Sequence, residues 1–307
     1  KLALLKGNRF NPWHLQAYRY LTPPVEVTAF RAESEIQQHF DGRDDGSLDF
    51  RFERIHFDTE VGNPLVRQVK HLEERLGTRT PRVVPFSGQL QDFDVVQSWE
   101  LFTDWSDQAA DAKARYGTPL AVMVWDNIPF NMETPPFRRN IKQRVIEQAD
   151  CFIVHTDKSY DMLRLEGVKP DRITKTFPGI DLDVFRPGPA DRTPFGVEQD
   201  EFLILFVGWF LPRKGLDFLL FALRQLLDSL PEGGPRVELL MVGSGPGRER
   251  IEELIARLEL RDCCTFAGSL PYSAMANAFR AADVFVLPSV PTPTWQEQFG
   301  MSLMEAM

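Results

Sequence analysis

Short apolar runs recur along this chain, each closing on a glycine or polar turn and followed by a stretch of helical periodicity. That alternation is the pattern of a parallel sheet. Parallel neighbours need a crossover between them, and the crossing helices then cover both sheet faces. The pattern predicts strands over residues 2–5, 25–30, 94–97, 120–125 and 151–155, and helices over 13–21, 107–116 and 138–148. A charged turn falls at 41–46, and elements at 163–167 and 173–177 complete the first half. The Pro- and Gly-rich stretch that opens at Phe185 reads as a linker. The pattern then restarts, with strands over 202–207, 237–242, 264–266 and 283–287 and helices over 216–229, 248–258 and 273–280. This gives a first α/β domain over residues 1–184, a linker over 185–200 and a second α/β domain over 201–307.

With 307 residues, 43% of them hydrophobic, the chain can fill two packed cores. Its net charge of −9 supplies no positive field to hold nucleic acid, which excludes that partner class. Cys151, Cys263 and Cys264 have no metal or redox spacing and fit free thiols in a reducing compartment. His14, His39, His56, His71 and His155 are scattered without ligand spacing, so no metal is expected. The longest apolar run, over 202–211, is broken by Gly208 and is too short for a bilayer. No signal-peptide pattern is visible. These features together predict a cytoplasmic protein. The helix over 138–148 carries Arg138, Arg139, Lys142 and Arg144, a basic face that could rest on anionic lipid headgroups at the inner membrane face or simply be solvated.

The chemistry concentrates in Trp295-Gln-Glu-Gln-Phe-Gly-Met-Ser-Leu-Met-Glu-Ala-Met307. Glu297 and Glu305 bracket a Phe-Gly-Met-Ser turn between the last strand and a helical pattern. A glycine-bearing loop at a helix start points free backbone N–H groups and the positive end of the helix dipole at an anion. Two carboxylates beside that site could hold sugar hydroxyls. Phosphate plus hydroxyls suggests a nucleotide-sugar; the alternative is two solvated helix glutamates.

This segment resembles the E-x7-E motif of retaining glycosyltransferases with the GT-B fold, glycosyltransferase family 4 in particular. The likeness extends upstream. Phe206-Val-Gly-Trp-Phe-Leu-Pro-Arg-Lys-Gly-Leu-Asp217 is similar to the family's Gly-Arg…Lys-Gly phosphate segment. Leu240-Met-Val-Gly-Ser-Gly-Pro-Gly247 is similar to its Val-Gly-x-Gly-Pro loop, and Ala281-Ala-Asp-Val-Phe-Val-Leu-Pro-Ser289 to its final core strand. Phe177-Pro-Gly-Ile-Asp-Leu-Asp-Val-Phe-Arg-Pro187 is similar to the segment joining the two lobes. The resemblance implies two Rossmann-like lobes facing across a cleft. It also implies transfer of a sugar from a nucleoside-diphosphate-sugar to a hydroxyl acceptor, with retention by same-face attack. The nucleotide-sugar is then a co-substrate, and no cofactor or metal is needed. The family pattern continues beyond the helix that holds Met307, so the second lobe is expected to be truncated.

By the same resemblance, Glu297 lies by the donor sugar and Glu305 contacts the ribose, while Phe299, Gly300, Met301 and Ser302 line the sugar and phosphates. Lys214 matches the lysine that faces the leaving diphosphate. Trp209 stands where the family has an arginine, so Arg213 could supply the second charge, or Trp209 could stack on the sugar or base. Gly243 and Gly245 shape the nucleotide pocket; Gly268 and Ser269 read the base. Gly7, in the first strand-to-helix turn, allows close approach of a phosphate. Trp125 replaces a family histidine and is followed by Asp126 and Asn127, which face donor or acceptor hydroxyls, with His14 bordering the acceptor side. Open alternatives are a turn-capping role for Asp126, a bare tight turn over 243–247, and a solvated turn arginine at Arg213. Trp99, Trp105 and Trp295 could form sugar-stacking surfaces or be buried packing. Two other functions stay in play: a nucleotide-sugar-binding protein of this fold that has lost transfer, and a sugar-nucleotide epimerase, against which the Glu297–Glu305 motif argues.

Overall fold

The computed structural model describes residues 1–7, 16–22, 24–32, 50–75 and 82–307. The chain divides into two compact units, Lys1–Pro178 and Gly179–Met307. In the first unit the strands are β1 (Leu2–Leu5), β2 (Val27–Arg31), β3 (Arg51–Arg54), β4 (Val95–Trp99), β5 (Leu120–Val124), β6 (Cys151–Val154) and β7 (Ile173–Lys175). They pair in parallel in the order β3-β2-β1-β4-β5-β6-β7. Strand order reverses between β1 and β4, and ligands of open α/β sheets bind at such a reversal, beyond the carboxyl ends of the strands.

Both faces of this sheet are covered, as continuous apolar strands require. Ala3, Leu5, Val96 and Val122 face one core, where the small Ala109, Ala110 and Ala112 let the helix Asp104–Tyr116 approach closely. Leu4, Val27, Ala29 and Trp99 face the other. That helix starts three residues before the predicted 107, because the Thr103 hydroxyl caps it by accepting the Ser106 N–H. The helix Asp157–Leu165 replaces the element expected at 163–167, again behind a threonine cap, Thr156. β3 and the helix Pro64–Arg75 were not predicted. Of the helix expected over 13–21, the structure describes a 3₁₀ segment, Gln16–Tyr20. His14, His39 and the turn expected at 41–46 lie outside the described residues.

The second unit holds β8 (Phe202–Val207), β9 (Val237–Val242), β10 (Cys264–Gly268) and β11 (Val284–Phe285), parallel in the order β10-β9-β8-β11. Ile204, Phe206, Leu239 and Met241 pack under the helices Leu216–Ser229 and Arg248–Arg257. Leu203, Leu205, Leu240 and Val242 face the helix Tyr272–Ala281. Residues 185–200, expected as a linker, are folded into this unit, with Phe185, Phe195 and Val197 in its core. Arg192 staples them there. It is 7% exposed and donates to Ala281 O (3.0 Å), Glu201 O (2.6 Å) and Asp283 Oδ2 (2.9 Å). The last strand is shorter than the expected 283–287, although Val286 N still donates to Leu205 O at 2.9 Å.

Candidate active site

The glycines after β9 are dictated by the loop after β8. Phe210 is buried and is gripped from both sides: its N–H donates to Ser244 O (2.8 Å), and its carbonyl accepts from Gly247 N (2.9 Å). A Cβ on Gly243 would stand 2.0 Å from Gly208 O, one on Gly245 2.7 Å from Phe210 N, and one on Gly247 2.6 Å from Phe210 O. Only glycine tolerates such backbone-to-backbone approach. Gly243 N donates in turn to Gly268 O (2.8 Å), and Ser269 Oγ to Ser244 Oγ (3.1 Å). The loops after β8, β9 and β10 thus form one hydrogen-bonded floor. Gly268, with φ +70°, has nothing within 4 Å of its Cβ position and faces open space. Trp209 is half-buried at the end of β8.

Beyond Trp209 the chain makes a short 3₁₀ turn, Pro212–Lys214, ending at Gly215 with φ +71°. A Cβ there would sit 1.9 Å from Pro288 O, so the turn is pressed against the loop after β11. This contact brings together residues 83 positions apart. Lys214 Nζ donates to Glu297 Oε2 at 2.7 Å, and Ser289 Oγ donates to the same oxygen at 2.6 Å. Trp295 lies beside the pair, with Lys214 Nζ 5.0 Å and Arg213 Cζ 4.6 Å from its ring centre. Its loop is held by Val290 N donating to Arg213 O (2.8 Å) and by the Thr292–Trp295 turn. Lys214, Arg213 and Glu297 therefore meet, together with Ser289 and Trp295, neither of which had been assigned to this cluster.

Gly300 turns the chain into the helix Met301–Ala306 with φ +77° and no side-chain cap. Its Cβ position is 3.0 Å from Leu287 and 3.8 Å from Glu297 Cγ, which fixes the helix start next to that carboxylate. Phe299, Met301 and Ser302 flank this turn and are half-buried. Glu305, one turn further on, is half-buried and hydrogen-bonds with Tyr272. Burial pushes its carboxyl up to about 7, against the pull of the Tyr272 bond.

In the first unit, Gly7 follows β1 with φ +91°, and its Cβ position is 3.6 Å from the Trp105 ring. Trp105 itself is buried packing. Asp126 follows β5, and its carboxylate is occupied by its own loop. It accepts from Asn127 N (2.9 Å), Ile128 N (3.2 Å) and Asn131 Nδ2 (3.1 and 3.0 Å). That is the turn-capping geometry. Asn127 is buried as well. Trp125 packs edge-on against His155 at 4.7 Å, and burial lowers the imidazole's pKa. Sequence reasoning missed Glu100 at the end of β4. Its two carboxylate oxygens accept from Trp125 N (3.2 Å) and Asp126 N (3.3 Å), and its backbone has φ +64°. Burial and the neighbouring Asp126 push it up to about 8. Its one sequence signal is an acid three residues past the strand predicted over 94–97.

The basic face expected on the helix Phe137–Gln148 is largely committed to internal pairs. Lys142 is 3% exposed and donates to Glu166 Oε1 (2.6 Å) and Asn131 O (3.2 Å). Arg139 pairs with Glu133 (2.7 Å) and Arg144 with Asp107, while Arg138 lies over the Phe102 ring. Among the described residues no helix is long and apolar enough to cross a membrane, and no group of three metal-ligating side chains occurs.

Two family profiles match the chain: "Glycosyltransferase Family 4" over residues 43–184 and "Glycosyl transferases group 1" over residues 189–307. The D-inositol 3-phosphate glycosyltransferase of Kribbella flavida is 34% identical over 194 residues, which are 61% of this chain and 44% of that protein. D-inositol 3-phosphate glycosyltransferase 2 of Catenulispora acidiphila is 33% identical over 215 residues, 64% of this chain and 48% of that protein. The chain spans about half the length of the curated relatives it matches. Among solved structures, Anabaena HepE in complex with UDP and glucose superposes with TM-score 0.71 at 18% identity, over 99% of this chain and 77% of that one. Sucrose-phosphate synthase from Thermosynechococcus elongatus gives 0.68 at 19%, over 100% and 79%. At these identities the likeness is one of fold, and that fold is the α/β GT-B class.

Proposed function

The chain belongs to glycosyltransferase family 4, and from that premise we propose that it moves a sugar from a nucleoside-diphosphate-sugar to a hydroxyl acceptor, with retention and without a metal. The observation that carries this reading is the Lys214–Glu297 pair at 2.7 Å, set beside the helix start at Gly300. Charge builds on the diphosphate as the glycosidic bond breaks, and fixed cations aimed at that charge lower the barrier. Lys214 and Arg213 are those cations. Glu297 orients the donor sugar's hydroxyls and Glu305 takes the ribose. The uncapped first turn at Met301 and Ser302 offers backbone N–H groups to the phosphates. Same-face attack with the leaving phosphate as proton acceptor, carried over from the family resemblance, gives retention. In the first unit, Asp126 and Glu100 hold the end of β5 rigid so that an acceptor hydroxyl meets a fixed surface. The three free cysteines fit a cytoplasmic site of action.

UDP and UDP-glucose are the first donors to test, because Anabaena HepE has been solved with both. The relatives named for D-inositol 3-phosphate make that phosphorylated polyol the first acceptor to test. The experiment is a thermal-shift screen of nucleotide-sugars on the full-length protein, then transfer assays with and without chelator and NMR of the product anomer. Absence of any nucleotide-sugar response would sink the donor reading. Strict metal dependence would sink the metal-free mechanism, and an inverted product the stereochemical one. Donor binding without transfer would point to a binding protein, and conversion of the donor sugar without an acceptor to an epimerase.

A further inference from the structure

The two adjacent cations of the site are in different states. Lys214 is neutralised by Glu297 at 2.7 Å, and Ser289 donates to the same oxygen. Arg213 has no carboxylate partner among the described residues; its guanidinium lies over the Trp295 ring at 4.6 Å, and its Nε is buried without a hydrogen-bond acceptor. Two other arginines share a buried, unpartnered Nε, but each uses another N–H: Arg224 on Asp228 Oδ1 at 2.6 Å and Arg280 on Arg186 O at 3.4 Å. A buried donor left without an acceptor is costly. A cation–π contact attracts the guanidinium but does not cancel its charge. Taken together, Arg213, Lys214 and Glu297 leave one net positive charge, located on Arg213.

The placement of that charge is rigid. Arg213 O accepts from Val290 N at 2.8 Å, and Gly215 is pressed against Pro288 O, so the backbone at the middle and at the end of the turn is fixed to the loop that carries Trp295. Trp295 is itself held by Thr292 N donating to its carbonyl at 2.6 Å. The indole therefore presents Arg213 from a fixed platform, and with Lys214 at 5.0 Å it neighbours both cations.

We propose that Trp295 is a positioning residue that holds Arg213 as the charge first met by the nucleotide's diphosphate, while Glu297 holds Lys214 back until that anion arrives. This rests on the nucleotide-sugar reading above. Its consequence is an order of events. The diphosphate engages Arg213, then draws Lys214 off Glu297, and the released carboxylate becomes available to the sugar hydroxyls.

The test compares UDP with UMP by calorimetry on the full-length protein, at low and high salt, for the parent, Arg213→Gln, Trp295→Leu and Trp295→Phe. Thermal unfolding serves as the control for folding. The preference for UDP over UMP should fall about tenfold in Arg213→Gln, the loss expected for a charge-assisted contact, and its salt dependence should flatten. Trp295→Leu should lose part of the same preference, and Trp295→Phe, which keeps a π face, should retain it. Full preference in Arg213→Gln would overturn the role of Arg213, and full preference in Trp295→Leu that of Trp295. If the parent binds no nucleoside diphosphate, with GDP and ADP tried alongside UDP, the donor reading itself falls and this inference with it. The two failures are therefore distinguishable.

Discussion

Replacing Glu305 with glutamine should alter stability and donor binding in opposite pH windows, and the size of each effect follows from its burial. The carboxyl is raised from 4.5 to about 7, chiefly by desolvation. A folded-state pKa above the unfolded one means that the native state binds the proton more tightly. The stabilisation is therefore fully present below pH 4.5, is lost progressively as pH rises to 7, and is absent above it. At about 1.4 kcal/mol per unit, the span amounts to about 3 kcal/mol. Glu305→Gln should not show this loss, so the stability difference between variant and parent should move in the variant's favour by about 3 kcal/mol from pH 4.5 to pH 8. Denaturant unfolding at the two pH values measures it. Donor binding should run the other way. If the ribose hydroxyls donate to the ionised carboxylate, parent affinity for a nucleotide-sugar should fall about tenfold from pH 8 to pH 6, following the ionised fraction of a group with its pKa at about 7. The nucleotide-sugar is the right ligand because its diphosphate is esterified at both ends and does not titrate in this range. Glu305→Gln should bind more weakly by about 1–3 kcal/mol and with no pH dependence over that interval. A parent affinity that is flat with pH, or a variant that keeps the slope, would refute the assignment of Glu305 to the ribose.

Gly215→Ala and Gly243→Ala should each destabilise the second unit by more than about 2 kcal/mol, since each new Cβ would overlap a carbonyl oxygen at 1.9 or 2.0 Å, whereas Gly268→Ala meets open space and should cost only the left-handed strain of about 1–2 kcal/mol; chemical unfolding compares the three. Lys142→Met should cost about 3–5 kcal/mol by stranding the buried Glu166, and adding Glu166→Leu should recover much of that, as read from unfolding midpoints in a double-mutant cycle. Glu100→Ala should leave the Trp125 and Asp126 N–H groups without their acceptor, at about 1–3 kcal/mol each, and accelerate hydrogen exchange at those two amides ahead of the amides of β5.

The parallel strands that are apolar on both faces, such as β8 and β9, were legible because burial on two sides leaves a continuous hydrophobic run. β3, reading Arg-Phe-Glu-Arg, was not: half of it faces solvent and its register comes from pairing with β2. Helix starts at Asp104 and Asp157 were missed because their threonine caps act through one hydroxyl rather than through apolar periodicity. The helix Pro64–Arg75 had a readable start, with Pro64 at its first position and Asn63 accepting the Leu65 N–H at 2.9 Å, but its apolar side chains at Leu65, Val69 and Leu72 are exposed and gave no core signal. In the candidate site, Glu297 and Lys214 were each visible as motif members, but their pairing depends on a backbone contact between Gly215 and Pro288 that no local pattern records. Lys142 was read as surface charge because a helical wheel cannot show that Glu166 waits for it on another element. Asp126 had both readings open, and only the positions of the Asn127, Ile128 and Asn131 donors reveal how fully its oxygens are occupied.

The gripping of Phe210 by Ser244 and Gly247 has a consequence for anyone who would redesign these loops. The loops after β8 and β9 are not independent modules. A transplanted 243–247 segment would arrive without the carbonyl and amide that its glycines were shaped to meet, and a longer side chain at any of the close approaches would displace the partner loop as well. Diversification of this floor should therefore vary residues 208–210 and 243–247 as one unit, and in a library that randomises only 243–247 the surviving clones should be those that restore glycine at 243 and 245. Gly268, whose Cβ position meets nothing, is the place on that floor where a new side chain displaces no neighbouring loop, at the cost of its left-handed backbone strain.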